Sequence, residues 1–435
     1  MARALELINR ESYLKKLIAF KDDEMVKVIT GVRRCGKSRL LKLFVQYLQS
    51  QGVTTDQIIE INLESYEFAN FTCDELYHYV KQRVCKDKKT YIFLDELQRV
   101  KNFENAVNAF RVDFDCDIYV TGSNSYLLSS EYATYLSGRC LEIKVYPLSF
   151  KEFFSFANYT IKEKSSFEGE IEKYAVNEKG EPFTLKELLI RYIRLGGLPG
   201  IYRNTYDFDE QVQYIESVYE AIFNRDILER ARITGDKAVG DPILLKRLAT
   251  FLSDNIGSNI SLSNISKVIA NEDLIADKKN PSVNTIIKYA NYLVTSYFFY
   301  DIKRYDVRGK NLLKSLSKYY IIDTGLRNYL LGFRSQDMGH LLENIVYFEL
   351  LRRGYVVAVG KVGDLEVDFV ATKNGQKIYI QVTQSMLSED VISRELAPLR
   401  KIDDNYQKLV LALDCGLQKD YDGIEVKDVC QWLLN

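Results

Sequence analysis

A chain of 435 residues with 46% hydrophobic and 27% charged side chains is long enough for about three domains, and no apolar run in it approaches the ~18 residues of a membrane helix. Its net charge of −1 exerts no global pull on nucleic acid, so any such binding must come from a local basic face. Two histidines and seven cysteines without a CxxC pair argue against a histidine triad, a zinc site or a disulfide framework. The first twenty residues are helical in pattern and mixed in charge, unlike a secretory signal, which points to a cytoplasmic protein with no membrane partner.

The first informative element is the strand-like VKVIT, followed by Gly31, four residues and then Gly36-Lys37-Ser38, before a helix patterned by Leu40, Leu41, Phe44, Val45 and Leu48. Strand, glycine-rich loop and helix in that order are the context of a phosphate loop. Glycines let backbone N–H groups converge on a phosphate, and the helix start adds partial positive charge. Lys37 is expected to reach the β and γ phosphate oxygens and Ser38 to ligate Mg²⁺. Gly31, Arg33, Arg34, Cys35, Gly36, Lys37, Ser38 and Arg39 form the candidate nucleotide-binding set, with Arg33 and Arg34 either touching phosphate or standing solvated.

Next, the buried-strand run Tyr91 to Leu94 ends in Asp95-Glu96. An Asp at the carboxyl end of a parallel strand can hold the metal beside the loop, and Glu96 can take a proton from an attacking water. A third strand over 116–124 ends in Ser123 and Asn124, which either orient that water or cap a helix. Arg139, after Gly138, either reaches a neighbouring subunit's γ-phosphate or forms a surface ion pair.

Taken together, TGVRRCGKSRLL, IFLDELQ, TGSNSYLLSSE, LSGR, PLSFKEF, GGLPG, NRDILER and YYIIDTGLRNYLLG resemble the AAA-type ATPases of bacteria and archaea that carry a carboxy-terminal domain of uncharacterised function. The resemblance spans nearly the whole chain. It implies an α/β P-loop domain, ATP with Mg²⁺, and a homo-oligomer in which Arg139 serves the adjacent site.

The stretch 150–185 is polar and lysine-rich and reads as an insertion or mobile loop within a first domain spanning 1–205. Helical lid segments follow, and from residue 242 three helical patterns come in close order. In the third, Val283, Ile286, Ile287, Ala290, Leu293 and Val294 form a stripe, with Ser282, Thr285, Lys288 and Tyr289 on the other face. Residues 301 to 320 then collect Lys303, Arg304, Arg308, Lys310, Lys314 and Lys318 against Asp301 and Asp306. Three helices and a basic hairpin are the parts of a winged helix, so residues 206–335 are read as a lid plus a winged-helix-like, DNA-binding domain, with a helical packing module as the alternative.

In residues 336–435 the pair Asn374-Gly375 predicts a two-residue type I′ turn. Counting outward sets Asp368 opposite Gln381 and Glu366 opposite Thr383 on one face, while Glu343 falls on the polar side of the preceding helix. A helix Glu, a strand Asp and a following strand resemble the PD-(D/E)xK nuclease core. Gln381 stands at its second acidic position and Thr383 at its lysine position, which implies a fold that kept its shape and lost its chemistry. The expected fold is therefore an α/β P-loop AAA-type domain, a helical and winged-helix region, and a small α/β nuclease-like domain. The expected function is ATP hydrolysis that positions the DNA-binding and nuclease-like parts. A slow nucleotide-gated switch recruiting a protein partner, or an ATP-regulated nuclease, are the alternatives.

Overall fold

The computed structural model describes residues 7–123, 138–165, 171–202, 206–229, 241–271 and 281–435. It divides into two compact units, Met1–Tyr146 with Thr295–Tyr297, and Pro147–Val294 with Phe298–Asn435.

The first unit alternates helix and strand: α1 (Glu11–Ala19), β1 (Val26–Thr30), α2 (Lys37–Ser50), β2 (Ile58–Asn62), α3 (Cys73–Lys81), β3 (Thr90–Asp95), α4 (Phe103–Asp113), β4 (Cys116–Gly122) and β5 (Cys140–Lys144). The five strands are parallel in the order β2-β3-β4-β1-β5. Helices cover both sheet faces, so the strands read as continuous apolar runs. Alternation sends Ile92, Leu94, Ile118 and Val120 toward Leu76 and Val80 of α3 and Phe103, Val107 and Phe110 of α4. It sends Phe93 and Tyr119 to the opposite face, where both rings meet Phe44 of α2.

The second unit holds an eight-stranded mixed sheet in the order β10-β9-β11-β12-β13-β14-β16-β15, and a three-stranded antiparallel sheet β6-β7-β8. Its strands are β6 (Thr160–Ser165), β7 (Ile171–Val176), β8 (Pro182–Thr184), β9 (Phe299–Asp306), β10 (Asn311–Ile321), β11 (Val356–Val362), β12 (Leu365–Lys373), β13 (Gln376–Ser385), β14 (Gln407–Asp414), β15 (Asp420–Tyr421) and β16 (Ile424–Asp428). Within the polar stretch expected to be an insertion or mobile loop, the described residues form a helix, Phe150–Phe156, and the strands of the small sheet. Ser149 and Glu152 form a reciprocal cap at the helix start, and Phe150 and Phe153 pack on Tyr192. All six residues of β6 are exposed, so that strand carries no apolar alternation to read.

The β12–β13 hairpin has the expected register. Lys373 pairs with Gln376 and Phe369 with Ile380, and Asn374 and Gly375 both take positive φ, 51° and 78°, as a type I′ turn requires. The helix Met338–Arg352 departs from expectation. It is buried nearly all round, so Glu343 lies on an enclosed face and not on a polar one. In the helix Val283–Thr295 the buried side is Ile286, Tyr289, Ala290 and Leu293, whereas Val283 and Ile287 are exposed. On the buried side the Tyr289 hydroxyl accepts from Asp241 N–H at 3.1 Å, which lets an aromatic residue with a polar tip stand in the stripe.

Asp323 locks two distant segments of this unit together. Its carboxylate accepts from Gly197 N–H at 2.6 Å, Gly325 N–H at 2.9 Å and Leu326 N–H at 3.2 Å. A Cβ on Gly196 would collide with this carboxylate, and one on Gly325 with the Leu195 carbonyl. Asn328 completes the seam by donating to the Ile193 and Arg194 carbonyls at 2.9 and 3.1 Å. Asp323→Ala strands three buried amides and is expected to cost about 2–4 kcal/mol, read from the denaturant midpoint; Asp323→Asn, which keeps an acceptor oxygen, costs less. Burial pushes the Asp323 carboxyl up to about 6 against its backbone donors, above an unfolded value of about 3.9. The folded state therefore retains this proton longer, and the contribution of Asp323 to stability falls as pH rises from about 4 to about 6. Asp323→Asn is expected to flatten that slope.

Candidate nucleotide site

Because β1, β3 and β4 run parallel, Thr30, Asp95 and Gly122 end at one edge of the sheet. The loop Gly31–Gly36 leaves that edge and feeds α2. Gly31 takes φ +145°, and a Cβ there would strike the Val145 carbonyl, so only glycine fits. Arg34 at φ +66° and Gly36 at +105° are also left-handed, and between them the Cys35 N–H donates to the Val32 carbonyl at 3.3 Å. Lys37 is buried, and its ammonium donates to the Gly31 and Val32 carbonyls at 2.9 and 3.2 Å.

Ser38 Oγ donates to Asp95 Oδ1 at 3.0 Å, and Thr121 Oγ1 donates to the same oxygen at 2.5 Å. A hydroxyl and a carboxylate side by side at a helix start are hard oxygen donors of the kind Mg²⁺ selects, so the residues present fit the cation. Thr121 Oγ1 also accepts from Glu96 N–H at 2.9 Å. Glu96 itself stands in the left-handed region at φ 58° and ψ 47°, a strained geometry that costs on the order of 1–3 kcal/mol for a non-glycine residue. Gln98 Nε2 donates to its Oε2 at 2.5 Å and lies 3.5 Å from Ser123 Oγ.

The fold therefore brings Gly31, Gly36, Lys37, Ser38, Asp95 and Glu96 to one edge. Cys35 is buried within the loop, while Arg34 on the loop and Arg39 in the first turn of α2 are exposed. Arg33 donates to Glu64 at 3.3 Å, as does Arg99. Asn124 lies outside the described residues. Arg139 is exposed, and its carbonyl accepts from Val26 N–H. It thus sits at the amino end of β1, the whole strand away from Ser38. Thr121 and Gln98 were not visible as site residues in the sequence, because only pairing of β4 beside β3 sets Thr121 against Asp95.

A second cluster of charges lies in the other unit. Lys318, counted in the sequence with the basic face, points inward instead. Its Nζ lies 2.9 Å from Glu343 Oε1 and 2.8 Å from Glu366 Oε1, and the Tyr320 hydroxyl donates to the same Glu343 oxygen. Burial alone would lower the Lys318 pKa, but Glu343, Asp368 and Glu366 outweigh it and hold it above its ordinary value. Burial, and then the charge of Glu343, push the Asp368 carboxyl well up. Its Oδ2 accepts from Val382 N–H at 2.8 Å, while Gln381 Oε1 accepts from Asp368 N–H at 2.7 Å. Gln381 Nε2 continues to Glu395 at 3.2 Å. No group of three or more His, Cys, Asp or Glu arranged to hold a metal occurs among the described residues.

Residues 23–154 match the model of an AAA domain (AAA_14). Residues 186–337 match a domain of unknown function, DUF8612. Over 430 residues the chain is 38% identical to an uncharacterised protein of Haemophilus influenzae, covering 98% of this chain and 99% of that one. The chain belongs to that protein's family. A second relative, the uncharacterised protein MJ1544 of Methanocaldococcus jannaschii, is 31% identical over 96% of this chain and 88% of its own length. Among solved structures, the Walker-type ATPase PABY2304 of Pyrococcus abyssi is similar at 16% identity and a TM-score of 0.48, covering 74% of this chain and 95% of that one. No helix among the described residues is long and apolar enough to cross a membrane.

Within the AAA domain, burial raises the Asp95 carboxyl above its ordinary value; the Thr121 and Ser38 hydroxyls oppose this and the charge of Glu96 adds to it. If a nucleotide binds here with Mg²⁺, a protonated Asp95 could not hold the cation, and any advantage Mg²⁺ gives to binding is then expected to fade on acidification at a higher pH than the ~3.9 of an ordinary aspartate. Thr121→Val removes an opposing hydroxyl and is expected to move that loss further up. The ratio of fluorescent ATP-analogue affinities with Mg²⁺ and with EDTA, followed across pH, reads both effects.

Proposed function

We propose that this protein binds ATP with Mg²⁺ and hydrolyses it, and that its nucleotide state positions a DNA-binding winged helix and a nuclease-like sheet that no longer cuts. The observation that carries the reading is the Ser38–Asp95–Thr121 junction at the head of α2, with Glu96 held beside it. In this reading the loop's glycine amides and the Lys37 ammonium grip the phosphates, Lys37 exchanging its two loop carbonyls for phosphate oxygens. Ser38 and Asp95 hold Mg²⁺, whose charge offsets that developing on the transferred phosphoryl group. Glu96 accepts the proton of the attacking water once Gln98 releases its carboxylate, and Ser123 or Asn124 orients that water. Arg139, exposed at the far end of β1, serves the site of an adjacent copy in a homo-oligomer.

Two observations support coupling and DNA binding. Residues 295–297 run from the helix Val283–Thr295 into β9 yet belong to the first unit. There the Tyr297 hydroxyl donates to Glu142 at 3.3 Å, and the same Glu142 oxygen accepts from Thr30 Oγ1, next to Gly31, at 2.6 Å. In the second unit, Ile260 bridges Ser317 of β10 in both directions, tying the link between the first two helices of the trio to the hairpin. Lys303, Arg308 and Lys310 remain exposed on that hairpin as phosphate contacts. Loss of nuclease chemistry is supported by Gln381, Thr383 and the Lys318 ammonium between Glu343 and Glu366.

Glu96→Gln is expected to bind ATP as the parent does and to lose about 10²–10⁴-fold in turnover, while Lys37→Ala loses nucleotide affinity. Equal turnover in Glu96→Gln and the parent sinks the hydrolytic assignment. Duplex DNA titrated at rising salt is expected to bind with a negative log–log slope that shrinks in Arg308→Ala, and to stay uncut with Mg²⁺ or Mn²⁺ present.

A further inference from the structure

Arg10 stands immediately before α1 and is 3% exposed. Its Nη1 donates to the Cys35 carbonyl at 2.9 Å, and its Nη2 to the Tyr146 carbonyl at 3.0 Å. The guanidinium lies over the Tyr13 ring, 4.6 Å from its centre, and the Tyr13 hydroxyl accepts from Tyr146 N–H at 3.1 Å. One planar cation thus spans the phosphate loop and the segment that follows β5, where Val145 donates to Thr30 at 2.7 Å and crowds Gly31.

The consequence follows from peptide planarity. In a trans peptide the carbonyl of one residue and the N–H of the next point in opposite directions. Drawing the Cys35 oxygen toward Arg10 therefore aims the Gly36 N–H away from Arg10. At its left-handed φ, Gly36 has no side chain to hold that plane, and the bond to Arg10 fixes it. Charge-assisted hydrogen bonds are stronger than neutral ones and specify geometry better when both arms of a guanidinium are used. A lysine has no such fork.

We propose that Arg10 is a positioning residue for the nucleotide: without touching it, Arg10 presets the Cys35–Gly36 amide so that its N–H faces phosphate. This rests on the ATP-binding reading. Binding otherwise has to pay for ordering that amide, so the effect belongs to affinity and not to the chemical step.

Steady-state ATPase kinetics and calorimetric Mg·ATP binding on the full chain test it, with Arg10→Met and Arg10→Lys beside the parent. Arg10→Met is expected to raise KM and Kd by about 10–100-fold, the loss of one or two charge-assisted bonds, with kcat kept within about twofold. Arg10→Lys, which can restore one bond, falls between. Unchanged KM in Arg10→Met, or a loss confined to kcat, overturns the assignment. Should Arg10→Met not fold, Arg10→Lys decides alone: parental KM overturns the role, and raised KM at parental kcat supports it. Failure of the parent chain to bind Mg·ATP would instead overturn the ATP reading itself, and this proposal with it.

Discussion

Parallel pairing of β1 with β4 and of β4 with β3 is the constraint from which the candidate site follows. Parallel strands end together, so the loop after β1 and the carboxylates after β3 arrive at one edge although 57 residues separate Ser38 from Asp95. The helices that connect such strands cover both faces of the sheet, and the apolar sides of α2, α3 and α4 fill the space with Phe44, Val80 and Phe110. A rigid edge then lets one hydroxyl, Thr121, hold Asp95 with its proton and the Glu96 amide with its lone pair. Strain at Glu96 is sustained by that over-determined surrounding.

In the second unit, burial of charge sets the local structure. Glu343, buried, and Glu366 and Asp368, each half-buried, converge on the buried Lys318, where carboxylates without a partner would be costly. One ammonium between two of them and a raised pKa on the third reduce that cost. Removing water also makes each remaining hydrogen bond stronger, which explains the closely satisfied chain from Asp368 through Gln381 to Glu395. The same logic operates at Asp323, whose buried carboxyl is held by three amides from two segments over a hundred residues apart.

Local patterns were legible where a short-range rule is strict. Gly31 to Ser38 announced a phosphate loop because few other arrangements need those glycines, and Asn374-Gly375 announced its turn because both positions require positive φ. The hairpin register followed by counting alone. Less legible were β6, whose exposed residues carry no apolar period, and the helix Met338–Arg352, where a charged residue was read as solvent-facing. Tyr289 misled for a related reason: an amphipathic side chain can bury its ring and satisfy its hydroxyl within the fold.

By itself, the sequence determined the phosphate loop, the acidic end of β3 and the type I′ hairpin, since each depends on backbone geometry within a few residues. Tertiary structure alone decided that Thr121 meets Asp95, that Arg10 grips the Cys35 carbonyl, and that Lys318 turns inward to Glu343 and Glu366. Those outcomes depend on which distant strands pair and on how buried charges find partners, and neither is encoded in any local stretch of residues.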